Sequence, residues 1–248
     1  MKGFYLIKRT YGNALFLHPF HDSRTVSDFD QQKGIRVYVS DRITESEKEN
    51  FLYAIYAGID ASVNRWIQEL KYIPRFINAA AVFLVVYFFM SFVIRDPIPV
   101  LDELLVSGAA AVGVYLWTAA RNRKSDIAMK KRIELKRLAD ESTFTVDSTL
   151  KDVEELLKQY DEMSAVTLAD KVCGEEGGLE QLPGNPVLAE IQAYLENLLK
   201  RHDRQRAVMK RLPRVNTDRE KEIMSAHLLT LSGRKRIDLP LIALFRSL

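Results

Sequence analysis

Two histidines and a carboxylate, His18, His21 and Asp22 in the stretch HPFHD, are the nearest this sequence comes to a metal-ligand set. Imidazole and carboxylate are ordinary ligands for zinc and related ions. A spacing of three would put both rings on one helix face, but Pro19 and the strand-like residues around it argue against a helix. A structural or surface role is therefore the expectation. Cys173 before Gly174 would be a nucleophile only if exposed. His202 and His227 have no sequence neighbour that would make either half of a catalytic pair, and no serine or cysteine stands in a nucleophile-elbow context. The glycine-rich GEEGG lacks the lysine and hydroxyl of a phosphate-binding loop, and its glutamates would repel phosphate, so it reads as a linker. No catalytic residue, cofactor site or metal ligand is assigned, and the expectation is a non-enzymatic chain without a cofactor.

Binding by charge is the other chemistry to weigh. Lys200 to Arg214, KRHDRQRAVMKRLPR, carries seven basic residues in fifteen. A solvated helix face is the first reading; an anionic membrane surface or an acidic protein partner is the second. Nucleic acid is disfavoured, because no aromatic residue is interleaved for base stacking. Asp152, Glu154, Glu155, Asp161 and Glu162 lie on a preceding acidic helix and offer intramolecular or intersubunit pairing to the basic run.

The bulk numbers set limits on all of this. At 248 residues, 47% hydrophobic and 28% charged, the chain has the composition of a folded protein and not of a disordered one. Its net charge of +3 is too small to imply a partner by itself. A single cysteine excludes an internal disulfide and suits a reducing compartment. Only four consecutive apolar residues, FYLI, stand before Lys8 and Arg9, too few for a signal-peptide core.

Two apolar runs decide the class. Phe76 to Ile94 holds nineteen residues without a charge. At about 1.5 Å per residue that spans roughly 28 Å, against a hydrocarbon core of about 30 Å. Leu104 to Ala120 holds seventeen uncharged residues, many of them small. Ser107/Ala111 and Ala109/Gly113 recur at four-residue spacing and are the helix-packing candidates, able to receive the first span or a neighbouring subunit. Between the runs, Arg95 to Glu103 contains Pro97 and Pro99, which stiffen a tight turn, and Asp102 and Glu103, which suit the start of a helix.

Basic residues set the orientation. Arg65, Lys71 and Arg75 precede the first run, and Arg121, Arg123, Lys124, Lys130, Lys131, Arg132, Lys136 and Arg137 follow the second, whereas the connection has Arg95 alone. Such a bias places both termini in the cytoplasm and the turn outside, in a multi-pass protein of the cell (inner) membrane. Arg121, Arg123, Lys124, Lys130, Lys131 and Arg132 are the lipid-surface candidates, each drawn to anionic lipid head groups by about 1 kcal/mol.

The flanking segments read mainly as helices. Residues 1–43 carry short aromatic and β-branched runs around turn signals, and suggest a β-hairpin or three-stranded sheet needing a covering helix. Residues 44–73 open on a capping box, Thr44 to Glu47, and carry an apolar seam through Leu52, Tyr56, Ile59, Val63, Trp66, Leu70 and Ile73. Residues 121–172 give a basic helical continuation, a weak break at Glu141 to Asp147, then a helix with Leu150, Val153, Leu157 and Tyr160 on one stripe. Residues 173–186 are a glycine and proline linker. Residues 187–248 repeat the seam through Leu188, Ile191, Leu195 and Leu198, interrupted at His202 and Gln205, and end in an apolar tail too short to span.

The expected fold class is thus a mainly α membrane protein. A two-span transmembrane helical hairpin, 76–94 and 104–120 about an outward loop at 95–103, would carry coiled-coil-like cytoplasmic helices and a small N-terminal β element. Its expected role is a membrane-anchored scaffold or accessory subunit. The lipid bilayer, and a second copy or a partner protein of a membrane complex, are its expected partners. The alternative is an oligomeric two-span pore or membrane effector, selected by the acidic mouth Asp96, Asp102 and Glu103.

Overall fold

A computed structural model of the chain describes residues 3–11, 13–20, 23–29, 34–93, 101–174, 179–215 and 217–248. The protein is mostly helical with one small sheet, and it divides into two compact units. The first comprises residues 1–19, 33–55 and 141–248; the second comprises 20–32 and 56–140.

In the first unit the sheet has four strands: β1 (Phe4–Ile7), β2 (Leu15–Leu17), β3 (Arg36–Val39) and β4 (Thr143–Val146), in the order β2-β1-β3-β4. β1 pairs with β2 antiparallel, Leu6 opposite Phe16, and with β3 parallel, Tyr5 opposite Tyr38. β3 pairs with β4 parallel, Val37 opposite Phe144. A hairpin or three-stranded sheet within residues 1–43 is therefore corrected to a mixed four-stranded sheet. Its fourth strand is TFTV, which the sequence presents as a break between helices.

Alternation of side chains across the pleat gives the sheet two apolar faces. Phe4, Leu6, Phe16, Val37, Val39 and Phe144 share one by register. That face receives Phe51 from the start of α2 (Glu45–Leu70), with ring centroids 5.9 Å from Phe16 and 5.8 Å from Phe144. Tyr5, Ile7 and Leu17 point the other way, into a core built from α6 (Ser148–Glu162), α7 (Ala165–Cys173), α8 (Pro186–Leu199), α9 (Asp203–Arg211), α10 (Asp218–Gly233) and α11 (Leu239–Ser247). Glu190 on α8 fastens β1 to this layer: it accepts from the Gly3 amide (3.0 Å), the Tyr5 hydroxyl (2.6 Å) and the Tyr194 hydroxyl (2.9 Å).

Local signals explain these helices. Asn185 caps α8 ahead of Pro186, and Thr217 and Glu220 form a reciprocal capping box on α10. Thr44 and Glu47 do the same at α2. The apolar tail docks as α11, with Ile242, Ala243 and Leu244 wholly buried. The seam over residues 187–212 is not one helix. α8 ends at Leu199 and α9 starts at Asp203 with His202 as its cap residue, so the polar interruption at His202 marks a turn between two helices and not a register device.

The second unit contains α1 (Arg24–Asp28), the rest of α2, α3 (Tyr72–Val93), α4 (Leu101–Arg123) and α5 (Asp126–Asp140). The stripe that α2 buries is Phe51, Ile55, Ile59, Val63 and Ile67, all 0% exposed. Leu70 and Ile73 of the expected seam are exposed, at 53% and 68%. Steps of four advance each residue by about 40° on a helix of 3.6 residues per turn, so this stripe winds round α2, unlike the straight seam of a coiled coil. α5 is separate from α4: the chain turns at Lys124 and Ser125, whose hydroxyl accepts from the Ala128 amide at 3.4 Å. On α2, Asp60 meets Lys136 (2.9 Å) and Arg132 (3.5 Å), and Asn64 accepts from Arg132 (2.8 Å), which ties α5 alongside.

α3 and α4 are long and apolar enough to cross a membrane. They run antiparallel, since Arg75 at the start of α3 meets Tyr115 near the end of α4, while Ser91 meets Glu103 at the opposite ends. Pro74 sits in the first turn of α3, where its missing amide hydrogen leaves no bond unmade. The turn residues 94–100, with Arg95, Asp96, Pro97 and Pro99, lie outside the described residues. Asp102 and Glu103 occupy the first turn of α4.

Candidate functional site

Among the described residues, the side chains with catalytic or ligating chemistry are not brought together. His18 is buried, and His21 and Asp22 lie outside the described residues. Among the described residues no group of three His, Cys, Asp or Glu side chains is placed to hold a metal. Cys173 is 5% exposed, and burial pushes its thiol up to about 11, so the exposed thiolate that a nucleophile needs is not available. His227 is exposed on α10, away from His202 at the start of α9 in sequence and element. Residues 175–178 of the glycine loop lie outside the described residues.

The acidic helix α6 is also used differently from expectation. Arg9, just after β1, donates to Asp161 (2.7 Å) and to Asp238 (2.6 Å), and Glu154 accepts the Lys8 amide at 2.7 Å. Within the basic run, Lys200 pairs along its own helix with Glu196 at 2.6 Å. Acidic and basic helices are thus not paired with each other at these positions; the end of β1 takes the acids instead.

This arrangement creates a cleft that the sequence did not announce. Lys8, Arg9 and Thr10 after β1, Ser40 and Asp41 after β3, and Lys151, Glu154, Glu155 and Lys158 on α6 line a space of about 350 Å³. It lies at the carboxyl ends of parallel strands, where open α/β sheets commonly bind ligands. Its cationic and anionic side chains are mixed. Arg9 is held in the charged form by the two carboxylates against the opposing effect of burial, which favours a structural clamp over a reactive group.

α3 and α4 present a different kind of surface. Val85, Phe88, Phe89, Phe92, Leu105 and Leu116 are exposed by 54 to 80%, and only 11% and 6% of the most apolar windows of the two helices are buried. Two hydroxyls within α4 are satisfied locally: Ser107 donates to the Glu103 carbonyl (2.6 Å) and Thr118 to the Val114 carbonyl (2.7 Å). Of the helix-packing candidates, Ser107 is fully buried and Ala111 half-buried, whereas Ala109 and Gly113 are exposed. The two pairs therefore occupy different sides of α4.

The basic candidates also divide. Arg132 is turned to Asp60 and Asn64, and Lys131 to Glu134 (3.0 Å). Arg123 faces the Gln68 side-chain amide, whose oxygen, with the amide turned end for end, accepts from Nε (2.8 Å) and Nη2 (2.9 Å). Arg121 is exposed with its guanidinium 5.5 Å from the Trp117 ring centre, and Lys124 and Lys130 are exposed. Arg75, counted from the sequence only as one more positive charge, is 6% exposed.

The chain matches no protein-family model, no curated protein and no solved structure.

Proposed function

We propose that this protein is a membrane-anchored scaffold or accessory subunit without catalytic activity. α3 and α4 form its two-span anchor, and the helices of the first unit supply its assembly surface on the cytoplasmic side. One observation carries the reading. α3 and α4 turn large apolar side chains outward, with Ser107 buried and the Ser107 and Thr118 hydroxyls bonded to their own backbone. In water such a surface would be an aggregation hazard; in hydrocarbon it is the expected exterior. The basic flanks at one end, against Asp102 and Glu103 at the other, support a cytoplasmic position for both termini. Glu103 is engaged by Ser91 at 2.8 Å and lies in the first turn of α4, which accounts for its charge without a pore.

The experiment is flotation of the full chain with phospholipid vesicles, with and without alkaline carbonate, joined to light scattering in mild detergent. Carbonate-resistant flotation and a mass above one chain, or a co-purifying protein, are expected. Release by carbonate sinks the anchor; a strict monomer without a partner sinks the scaffold. Single cysteines at Pro99 and Ser148, placed after Cys173 is removed, test orientation: only the first should label in intact cells.

A further inference from the structure

Arg75 is a buried charge with no counter-ion among the described residues. Its Nη2 donates to the Tyr115 hydroxyl at 2.8 Å, and its guanidinium carbon lies 4.2 Å from the Tyr115 ring centre. Its Nε is buried and meets no hydrogen-bond partner among the described residues. A phenol and a ring face leave the net charge uncompensated. Burying a guanidinium is strongly unfavourable unless an anion accompanies it. Neither helix offers one at this level: no Asp or Glu occurs in α3, and none in α4 after Glu103. Three half-buried cations of this unit, Arg132, Lys136 and Lys131, each reach a carboxylate.

Position along the pair identifies the missing anion. Gln68 opposes Arg123, Arg75 opposes Tyr115 and Ser91 opposes Glu103, so one antiparallel register holds over the length of the two helices. Arg75 then stands at the edge of the apolar stretch, one turn inside Lys71 and level with the chain about 9 Å inside Arg121. Tyr72 and Trp117, exposed by 52% and 61%, lie within a turn of it on either helix. Such amphipathic rings mark the layer where lipid head groups sit. Guanidinium binds phosphate oxygens through paired donors, and Lys71 and Arg121 add positive charge around it.

On these grounds we infer that Arg75 anchors the phosphodiester of an anionic phospholipid at the basic end of the α3/α4 pair. The site rests on the membrane reading above. The bound lipid supplies the counter-ion that α3 and α4 lack, and couples packing of the two helices to lipid composition.

The test uses full-length chain in mild detergent, titrated with phosphatidylglycerol and, separately, phosphatidylcholine, with retained lipid counted by native mass spectrometry. Wild type should hold one phosphatidylglycerol at least tenfold more tightly than the next, and more tightly than phosphatidylcholine. Arg75→Gln should remove that first site, and Arg219→Gln, at an exposed position of α10, should leave it intact. Tyr115→Phe, which frees Nη2 but keeps the charge, should retain the lipid at wild-type affinity or better; this guards against misfolding of the Arg75 variant. Equal lipid retention by Arg75→Gln and wild type overturns the site while leaving the anchor standing. Loss of lipid by Tyr115→Phe to the same degree overturns it too. Displacement by millimolar inorganic phosphate would assign the site to a soluble anion and overturn the lipid. A chain that floats with neither kind of vesicle overturns the anchor and this site together.

Discussion

Arg9 and Asp161 form a two-point contact, Nη2 to Oδ1 at 2.7 Å and Nε to Oδ2 at 3.4 Å, that joins the end of β1 to the end of α6. Their side chains are 12% and 3% exposed, and Asp238 at the start of α11 closes the cluster through Nη1 at 2.6 Å. One guanidinium thus links the first strand to the last helix. Removing one partner of such a pair leaves a buried charge alone, which costs about 3 kcal/mol. Arg9→Ala should lose that much in urea denaturation, and Arg9→Lys should recover only part, because an ammonium cannot span both carboxylates with fixed forks. The exposed ion pair of Asp60 with Lys136 is the contrast: Asp60→Asn should cost under about 1 kcal/mol. Equal costs at the two sites would refute the clamp.

Phe51 reaches the sheet from α2, and its ring is wholly buried between Phe16 and Phe144. Phe51→Ala should destabilise the first unit by about 3 to 5 kcal/mol, by lost transfer energy and the cavity left behind. Phe51→Leu should cost clearly less. Were Phe51→Ala silent in denaturation followed by circular dichroism, the face it covers would not be part of the core.

Phe51 also shows where the sequence is readable. The capping boxes at Thr44 and Thr217, the Asn185 cap and the buried stripe of α6 depend on residues within a turn of one another, and periodicity exposes them. β4 is different. Val37 finds Phe144 across a parallel pairing that spans the whole of α2 to α5, and a four-residue strand carries no mark of a partner so distant. The cleft of Lys8, Ser40 and Lys151 was hidden for the same reason, as it exists only where three parallel strands end together. Arg75 was visible as a charge but not as a buried one, since burial depends on the register of α3 against α4. The seam of α2 misled because Leu52 to Ile73 fits steps of three and four, while the surfaces meeting α2 follow a winding stripe of fours.

Cys173 packs beneath α11 with its thiol pushed up from 9.0 to about 11, chiefly by burial. The folded chain holds this proton more tightly than the unfolded chain does. Its contribution to stability is therefore complete below pH 9 and is lost as the pH rises through about 11. Between those values the folded thiolate fraction should be up to about a hundredfold below that of the unfolded chain. Ellman's reagent at pH 8.5 should modify Cys173 slowly in buffer and rapidly in urea. Equal rates would mean that α7 and α11 do not cover it.

Gly113 and Ser107 lie on one helix yet should answer opposite substitutions. Ser107 is fully buried, so Ser107→Leu overpacks the α3/α4 contact and should cost about 1 to 3 kcal/mol within a single chain. A Cβ at Gly113 meets nothing within 4 Å, and Ala109 beside it is exposed. By helix propensity alone Gly113→Ala should stabilise the monomer by up to about 1 kcal/mol. If the outer small-residue face of α4 seats a second copy, close backbone approach makes Gly113→Leu and Ala109→Leu disruptive to assembly while the single chain stays folded. Light scattering in mild detergent reads the mass, and circular dichroism reads the fold. Unchanged mass for both leucine variants removes α4 as an oligomer contact and leaves the helices of the first unit to carry assembly; loss of mass with Ser107→Leu alone would place the contact on the inner face, against its burial.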